Sequence, residues 1–471
     1  MKQLITFLLI LVSLNSFSYP GGSGTIADPY LISSETDLRY LGNTSTDWDK
    51  HFKQTADITL SYTDDDNNNG HNMIAIGSSA TPFTGSYDGN GHTITGIIMV
   101  NGGTDDYQGL FGNVNTSYSI KNLGLIDPII WGNNYIGGLV GNNGAGTIEN
   151  CYVTGGSLAG FAFGNGRGGI TGRNAGTVKN CYASITIRNG KYAGGLVGYN
   201  IGIIEESYYY NMTPATGYSY VIDGYGNYTG GFVGGNIGGS ITKCFTITSD
   251  IKLSGLASTD PIFNTPTNYV YLGGFVGYNT GSITQCYAAN GLFTVTNGAS
   301  SYGGLTTKGG FSGYNSSSSI TQCYWDTTTS GETSMTGVDS SETSGAIGKT
   351  TSEMQTQSTY TSWDFSNDWI IDNTIYPNID YPVLRPSSLG IEEVSTNDKL
   401  LIYPNPTSNF LEIKVNRIID KISIYNSPGK QIKTLHPNYN KIDVSTLTSG
   451  MYFIQFTFED KTVNTLKFIK K

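Results

Sequence analysis

The chain has 471 residues, 63 of them glycine and only 14 proline, with 13% charged and 12% aromatic residues. That balance excludes collagen, Pro-Gly disorder and a solvated disordered chain, which would need high charge and few aromatics. A formal charge of −10 disfavours nucleic acid as a partner. Glycine weakens helices whereas Tyr, Ile, Val and Thr favour strands, so the composition points to an all-β protein of two or three domains, rich in turns.

In chain order, Met1-Lys2, the apolar run Leu4 to Leu14 and the small residues Ser16 and Ser18 read as a secretory signal peptide over residues 1–18, too short for a membrane span. No later stretch approaches 18 apolar residues, so no transmembrane segment is expected in the mature chain. SETDLRYL from Ser34 reads as a short capped helix, an N-terminal lid. In DDDNNNG (residues 64–70), Asp65, Asn67 and Asn69 match the first half of a Ca2+ loop, so no cofactor is expected other than Ca2+ at this loop. Ile76 stands where such a loop needs glutamate, so a flexible polar insertion between two rungs is favoured over a bound cation.

One unit then recurs six times: two glycines, Gly-x-Asn, a turn and a strand ending in Cys-aromatic. It begins as GGLVGNNGAGTIENCY at Gly137 and ends as GGFSGYNSSSSITQCY at Gly309, with a degenerate copy at Gln108. Successive second glycines, from Gly138 onward, lie 31, 26, 36, 43 and 36 residues apart. A fixed motif at irregular intervals implies stacked rungs with variable loops, because no unit can bury its apolar face alone. Seven such coils at ~4.8 Å would make a section of about 34 Å. Cys151, Cys181, Cys244, Cys286 and Cys323 share one repeat position, with Ser207 in the third unit. Disulfides between neighbouring rungs and a ladder of small buried thiols both fit. The odd count and the Ser207 replacement favour the thiols. Asn143, Asn174, Asn200, Asn236, Asn279 and Asn315 form a second ladder, suited to amide-to-amide hydrogen bonding.

The unit resembles the GLUG repeat of bacterial surface and secreted proteins. GTIADPYLISSETDLRYLG from Gly24 and FTGSYDGNGHTITGI from Phe83 resemble the entry and first rungs of such β-helices. Gly348 to Pro386 resembles their closing segment. The resemblance implies a right-handed parallel β-helix over 19–386, with cap and first rungs at 21–136, full repeats at about 137–326 and a closing segment at 327–386. It implies no activity.

PSSLGIEEVSTNDK from Pro386 reads as a linker, about 387–398. Residues 399–471 hold eleven Lys/Arg against five Asp/Glu, a net of +6, whereas the preceding residues carry −16. Such asymmetry marks a separate module. Alternating segments broken by PNP, SPGK and TSG read as a small immunoglobulin-like antiparallel sandwich. Their order, YPNPTSNFLEI, ISIYNSPGKQI, IDVSTLTSGMYFIQF and LKFIKK, resembles the type A C-terminal sorting domain of the type IX secretion system. That implies the secretion machinery as partner of 399–471 and a protein secreted from, or held on, a Gram-negative cell.

Chemistry is sparse. None of the four histidines sits in His-Glu-x-x-His, and no nucleophile elbow or phosphate loop is present. A polysaccharide lyase on this scaffold would need converging cations or carboxylates. Arg167, Arg173, Lys179 and Arg188 are the candidates, whereas Glu205 and Glu206, as strand neighbours, face opposite ways. Binding is the leading expectation: in the insertion Glu206 to Tyr228, Tyr208, Tyr209, Tyr210, Tyr218 and Tyr220 present rings with polar tips suited to a surface glycan or a host or neighbour protein. For this insertion itself, packing on its own rungs is the favoured reading over a binding patch.

Overall fold

The computed structural model describes residues 19–61, 71–100, 105–160, 164–255, 269–297, 305–316, 319–338, 345–371 and 379–385. Near the C-terminus it describes 401–403, 407, 409–414, 418–426, 431–435, 441–448, 450–459 and 463–470. The chain divides into two compact units, Met1–Ser387 and Ser388–Lys471. The signal-peptide expectation, residues 1–18, lies outside the described residues.

In the first unit one coil consists of four strands, for example Val140–Asn143, Thr147–Glu149, Tyr152–Gly160 and Arg167–Gly168. Each pairs in parallel with its counterpart one coil on, so that Ile148 is followed in register by Val178, Ile204, Ile241, Ile283 and Ile320. The result is a parallel β-helix with four walls, named here by what they carry. Among the described residues the asparagine wall has eight strands, the charge wall ten, the aromatic wall ten and the glycine wall six. Five further strands attach beside the aromatic wall and form what we call the flank. The charge wall exceeds the seven coils expected because Tyr30–Ile32, His51–Gln54 and Ser86–Asp88 join it ahead of the repeat. Nine spacings of ~4.8 Å give it a length of about 43 Å.

Short strands alternate one inward apolar residue with outward polar ones. Ile120, Ile148, Val178, Ile204, Ile241 and Ile283 thus stack in one continuous core. The corner between the charge and aromatic walls is a single left-handed residue, repeated coil after coil: Asn122, Asn150, Asn180, Glu206, Lys243, Gln285 and Gln322 have φ between 47° and 55°. That one residue turns the chain and aims the next side chain inward. Leu123, Cys151, Cys181, Ser207, Cys244, Cys286 and Cys323 are therefore all buried. The five cysteines are free thiols. Each donates to a carbonyl two residues back, at 3.1–3.2 Å, and burial pushes the thiols of Cys151 and Cys286 well up.

The asparagines do form a ladder. Nδ2 of Asn143, Asn174, Asn200, Asn236 and Asn279 each donates to Oδ1 of the next asparagine at 2.8–2.9 Å. The same groups also bond a glycine carbonyl in the following turn. Glycine has a second use here. A Cβ on Gly194 would lie 2.2 Å from the Val197 carbonyl oxygen, and one on Gly198 2.2 Å from the Arg167 nitrogen. Two walls therefore meet backbone against backbone, without side chains between them.

The helix Glu35–Asn43 caps the N-terminal end: Ser34 accepts from the Asp37 N–H, and Leu38 and Leu41 enter the core. The segment after the last repeat extends the walls by Thr336–Val338 and Ile347–Lys349, then lies along the outer face of the aromatic wall. Met354, Tyr360, Trp363, Trp369 and Val383 pack there against Phe245, Tyr287 and Tyr324. Tyr287 donates to the Pro382 carbonyl at 2.6 Å, and Lys243 pairs with Asp368 at 2.7 Å.

The described residues of the second unit form two antiparallel sheets. Leu401–Tyr403, Phe410–Lys414 and Lys441–Asp443 form one; Gln431–Leu435, Ile419–Asn426, Gly450–Phe458 and Val463–Lys470 form the other. Leu411, Ile424, Ile442, Ile454, Phe456 and Phe468 form the core of this unit.

Candidate binding face

The five tyrosines of the insertion separate into two groups. Tyr208–Asn211 is a strand of the aromatic wall, so its side chains alternate. Tyr209 is wholly buried and donates to the Ile185 carbonyl at 2.7 Å. Tyr208 stacks between Tyr182 and Phe245, with centroids 4.9 and 4.7 Å away. Both Tyr208 and Tyr210 pack against the cluster beneath the closing segment. These three are scaffold.

Tyr218 and Tyr220 lie beyond that strand, half-buried. The Arg188 guanidinium sits 4.5 Å from the Tyr218 ring centre, and Lys252 Nζ sits 5.2 Å from that of Tyr220. Such cation–π contacts fix rings that would otherwise rotate freely. The connecting loop is itself tied down, because the Ala215 N–H donates to Thr186 Oγ1 at 2.7 Å. The insertion thus both packs on its own rungs and presents two held rings.

The floor beneath them is the flank. The double glycine Gly155-Gly156, with φ of 71° and 66°, makes a bulge at which the aromatic wall bends into it. Arg188, Asp223, Lys252 and Thr294 follow one another in register on its outer face. Lys252 lies 3.4 Å from Asp223. Ahead of them stand Ile129 and Trp131, 39% and 42% exposed, around the buried Ile130. Sequence reasoning missed Trp131 because it lies before the full repeats; the alternation in Ile129-Ile130-Trp131 was the available signal.

The four lyase candidates do not converge. Arg167 is on the glycine wall, Arg173 on the asparagine wall, Lys179 on the charge wall and Arg188 on the flank. Arg167 is fully buried among glycines and donates to the carbonyls of Gly164 and Asn133; burial pulls its guanidinium down to about 9. Arg173 donates to Asn142. Lys179 lies 4.0 and 3.8 Å from Glu205 and Glu206.

Asp65, Asn67 and Asn69, the calcium candidates, lie outside the described residues. Ile76, at the position a glutamate ligand would need, is buried in the core. Among the described residues no three His, Cys, Asp or Glu side chains gather as a metal site. A cavity of about 570 Å³ lies nearby, lined among others by Trp48, His71, Met73, Asp105 and Tyr107. No described helix is long and apolar enough to cross a membrane.

Comparison with known proteins gives these features a context. Residues 401–471 match the family described as the secretion system C-terminal sorting domain, and residues 132–158 and 268–296 match the GLUG motif. The chain thus carries GLUG motifs and a type IX sorting tail. That tail implies handling by the type IX secretion machinery and a secreted or cell-surface protein. Among curated proteins, Halomucin of Haloquadratum walsbyi is 38% identical over 135 residues, 28% of this chain and 2% of its own. A putative Gly-rich membrane protein of Evansella cellulosilytica is 35% identical over 147 residues, 30% of this chain and 16% of its own. The matches therefore cover only a small part of either relative. No solved structure matches the chain.

Proposed function

We propose that this chain is an exported adhesin-like protein of a Gram-negative cell. In this reading residues 1–18 are a removable leader and residues 399–471 direct passage across the outer membrane. The β-helix then displays a binding face for a glycan. The observation that carries the reading is the pair of tyrosines, Tyr218 and Tyr220, each held by a cation on the flank. Rings with fixed apolar faces and polar tips suit sugars, whose CH groups stack while their hydroxyls bond at the edge. Screening the full chain on a glycan array tests it: retention of a defined glycan class is expected, and an array without signal overturns the reading. Export has its own test. Removing residues 399–471 should trap the protein in the periplasm, and unchanged secretion of the truncated chain would refute the assignment.

A further inference from the structure

We propose that the flank is a track for an acidic glycan with a disaccharide repeat, lying parallel to the coil axis. This rests on the glycan reading above and names its substrate class and anchors. Trp131 pairs with Ala159, Leu158 with Ile187, Ile187 with Ile222 and Asp223 with Lys252. Counting along that register puts Trp131 two coils ahead of Arg188 and Lys252 two coils beyond it. Each step is about 10 Å at the ~4.8 Å coil spacing.

Each of these three positions is marked by an aromatic ring: Trp131 itself, Tyr218 against Arg188 and Tyr220 against Lys252. An extended β-linked chain turns the same apolar sugar face outward at every second residue. One ring for every two coils therefore meets one stacking face per disaccharide. Cations also recur every second coil, at Arg188 and Lys252, which matches one carboxylate per disaccharide. Asp223, between them in register, accepts hydroxyl donors from the intervening sugar. Residues 1–398 carry a net −16, so a row with two cations and one anion is a local reversal of sign, and it selects an acidic chain over a neutral one. The rings are separated along the axis rather than merged in one apolar patch, which favours a linear ligand over a protein surface. The cations that hold the tyrosines lower the ordering cost of binding.

The test is calorimetric titration of the full chain with hyaluronan fragments, whose disaccharide carries one carboxylate, and with uncharged hydroxyethylcellulose. A decasaccharide should bind at least about tenfold more tightly than a tetrasaccharide, which reaches only two of the three rings. Trp131→Ala and Tyr220→Ala should each weaken decasaccharide binding about tenfold, whereas Tyr220→Phe keeps the ring and the affinity. Arg188→Gln should reduce the salt dependence. Trp131 is largely a surface residue, so thermal unfolding of its variant should match the parent and separate lost contact from lost fold. Equal affinity for both fragment lengths, tighter binding of hydroxyethylcellulose, or native-melting variants with unchanged affinity would overturn the track. If glycans bind through none of these residues, the glycan reading survives without it; if no glycan binds, both fail.

Discussion

At the residue scale, the molecule depends on backbone conformations that most side chains disfavour. A left-handed corner suits asparagine, whose short amide bonds locally, better than Lys or Gln, which lose about 1 kcal/mol or more there. The early corners use Asn122, Asn150 and Asn180, while the late ones use Lys243, Gln285 and Gln322. Lys243 recovers an ion pair with Asp368, and Gln285 donates to the Ser362 carbonyl. Gln322→Asn should therefore raise stability by about 0.5–1 kcal/mol, read as an upward shift in thermal unfolding. Glu353 gives a second residue-scale expectation. Its carboxylate accepts from the Thr350 N–H and hydroxyl and pairs with Lys349, which hold it down at about 2. The capping contribution is full above the ordinary carboxylate value and lost as pH falls through about 2. An NMR titration showing an unshifted midpoint would contradict this.

At the element scale, the asparagine ladder was legible in the sequence because the motif repeats it at one position and the chemistry permits one arrangement. The cysteine and isoleucine positions were legible for the same reason. The flank was not, because its strands lie in the variable stretches between motifs, where spacing carries no register. Nor was the division of Tyr208, Tyr209 and Tyr210 from Tyr218 and Tyr220, since a tyrosine-rich run reads alike in a wall and in a loop. The closing segment could be recognised as a segment, but its place along the aromatic wall depends on side-chain fit among Trp363, Trp369 and Tyr287. The ladder's energetics can be tested at Asn236, which donates to Asn279 and accepts from Asn200. Asn236→Ala removes both ladder bonds and the bond to the Gly239 carbonyl, while Asn200 keeps Gly202 and Asn279 keeps the Gly281 N–H, so a loss of about 2–3 kcal/mol is expected by denaturant unfolding.

At the scale of the whole molecule, two modules of opposite charge share one chain, net −16 before residue 399 and +6 after it. The tail concerns where the protein goes, and the β-helix holds the GLUG motifs. The outward register of the charge wall adds a constraint on the repeat as a whole. Lys53, Asp88, Lys121, Glu149, Lys179 and Glu205 oppose one another in strict alternation, followed by Thr242, Thr284 and Thr321. Each exposed pair contributes little alone, but like charges directly opposed are unfavourable. Deleting residues 138–168 removes one coil and sets Lys121 against Lys179; deleting 138–194 removes two and sets Lys121 against Glu205. Added salt should stabilise the first variant and slightly weaken the second, by screening repulsion in one and attraction in the other.

The alternation therefore acts as a parity rule on how such a protein can lengthen or shorten. Where the outward row is threonine, single coils can be gained or lost without electrical penalty. Where the row is charged, change proceeds in pairs. The ladder of identical amides tolerates either, so the outward charges favour paired change in the N-terminal coils, a preference that the threonine row does not impose on the C-terminal ones.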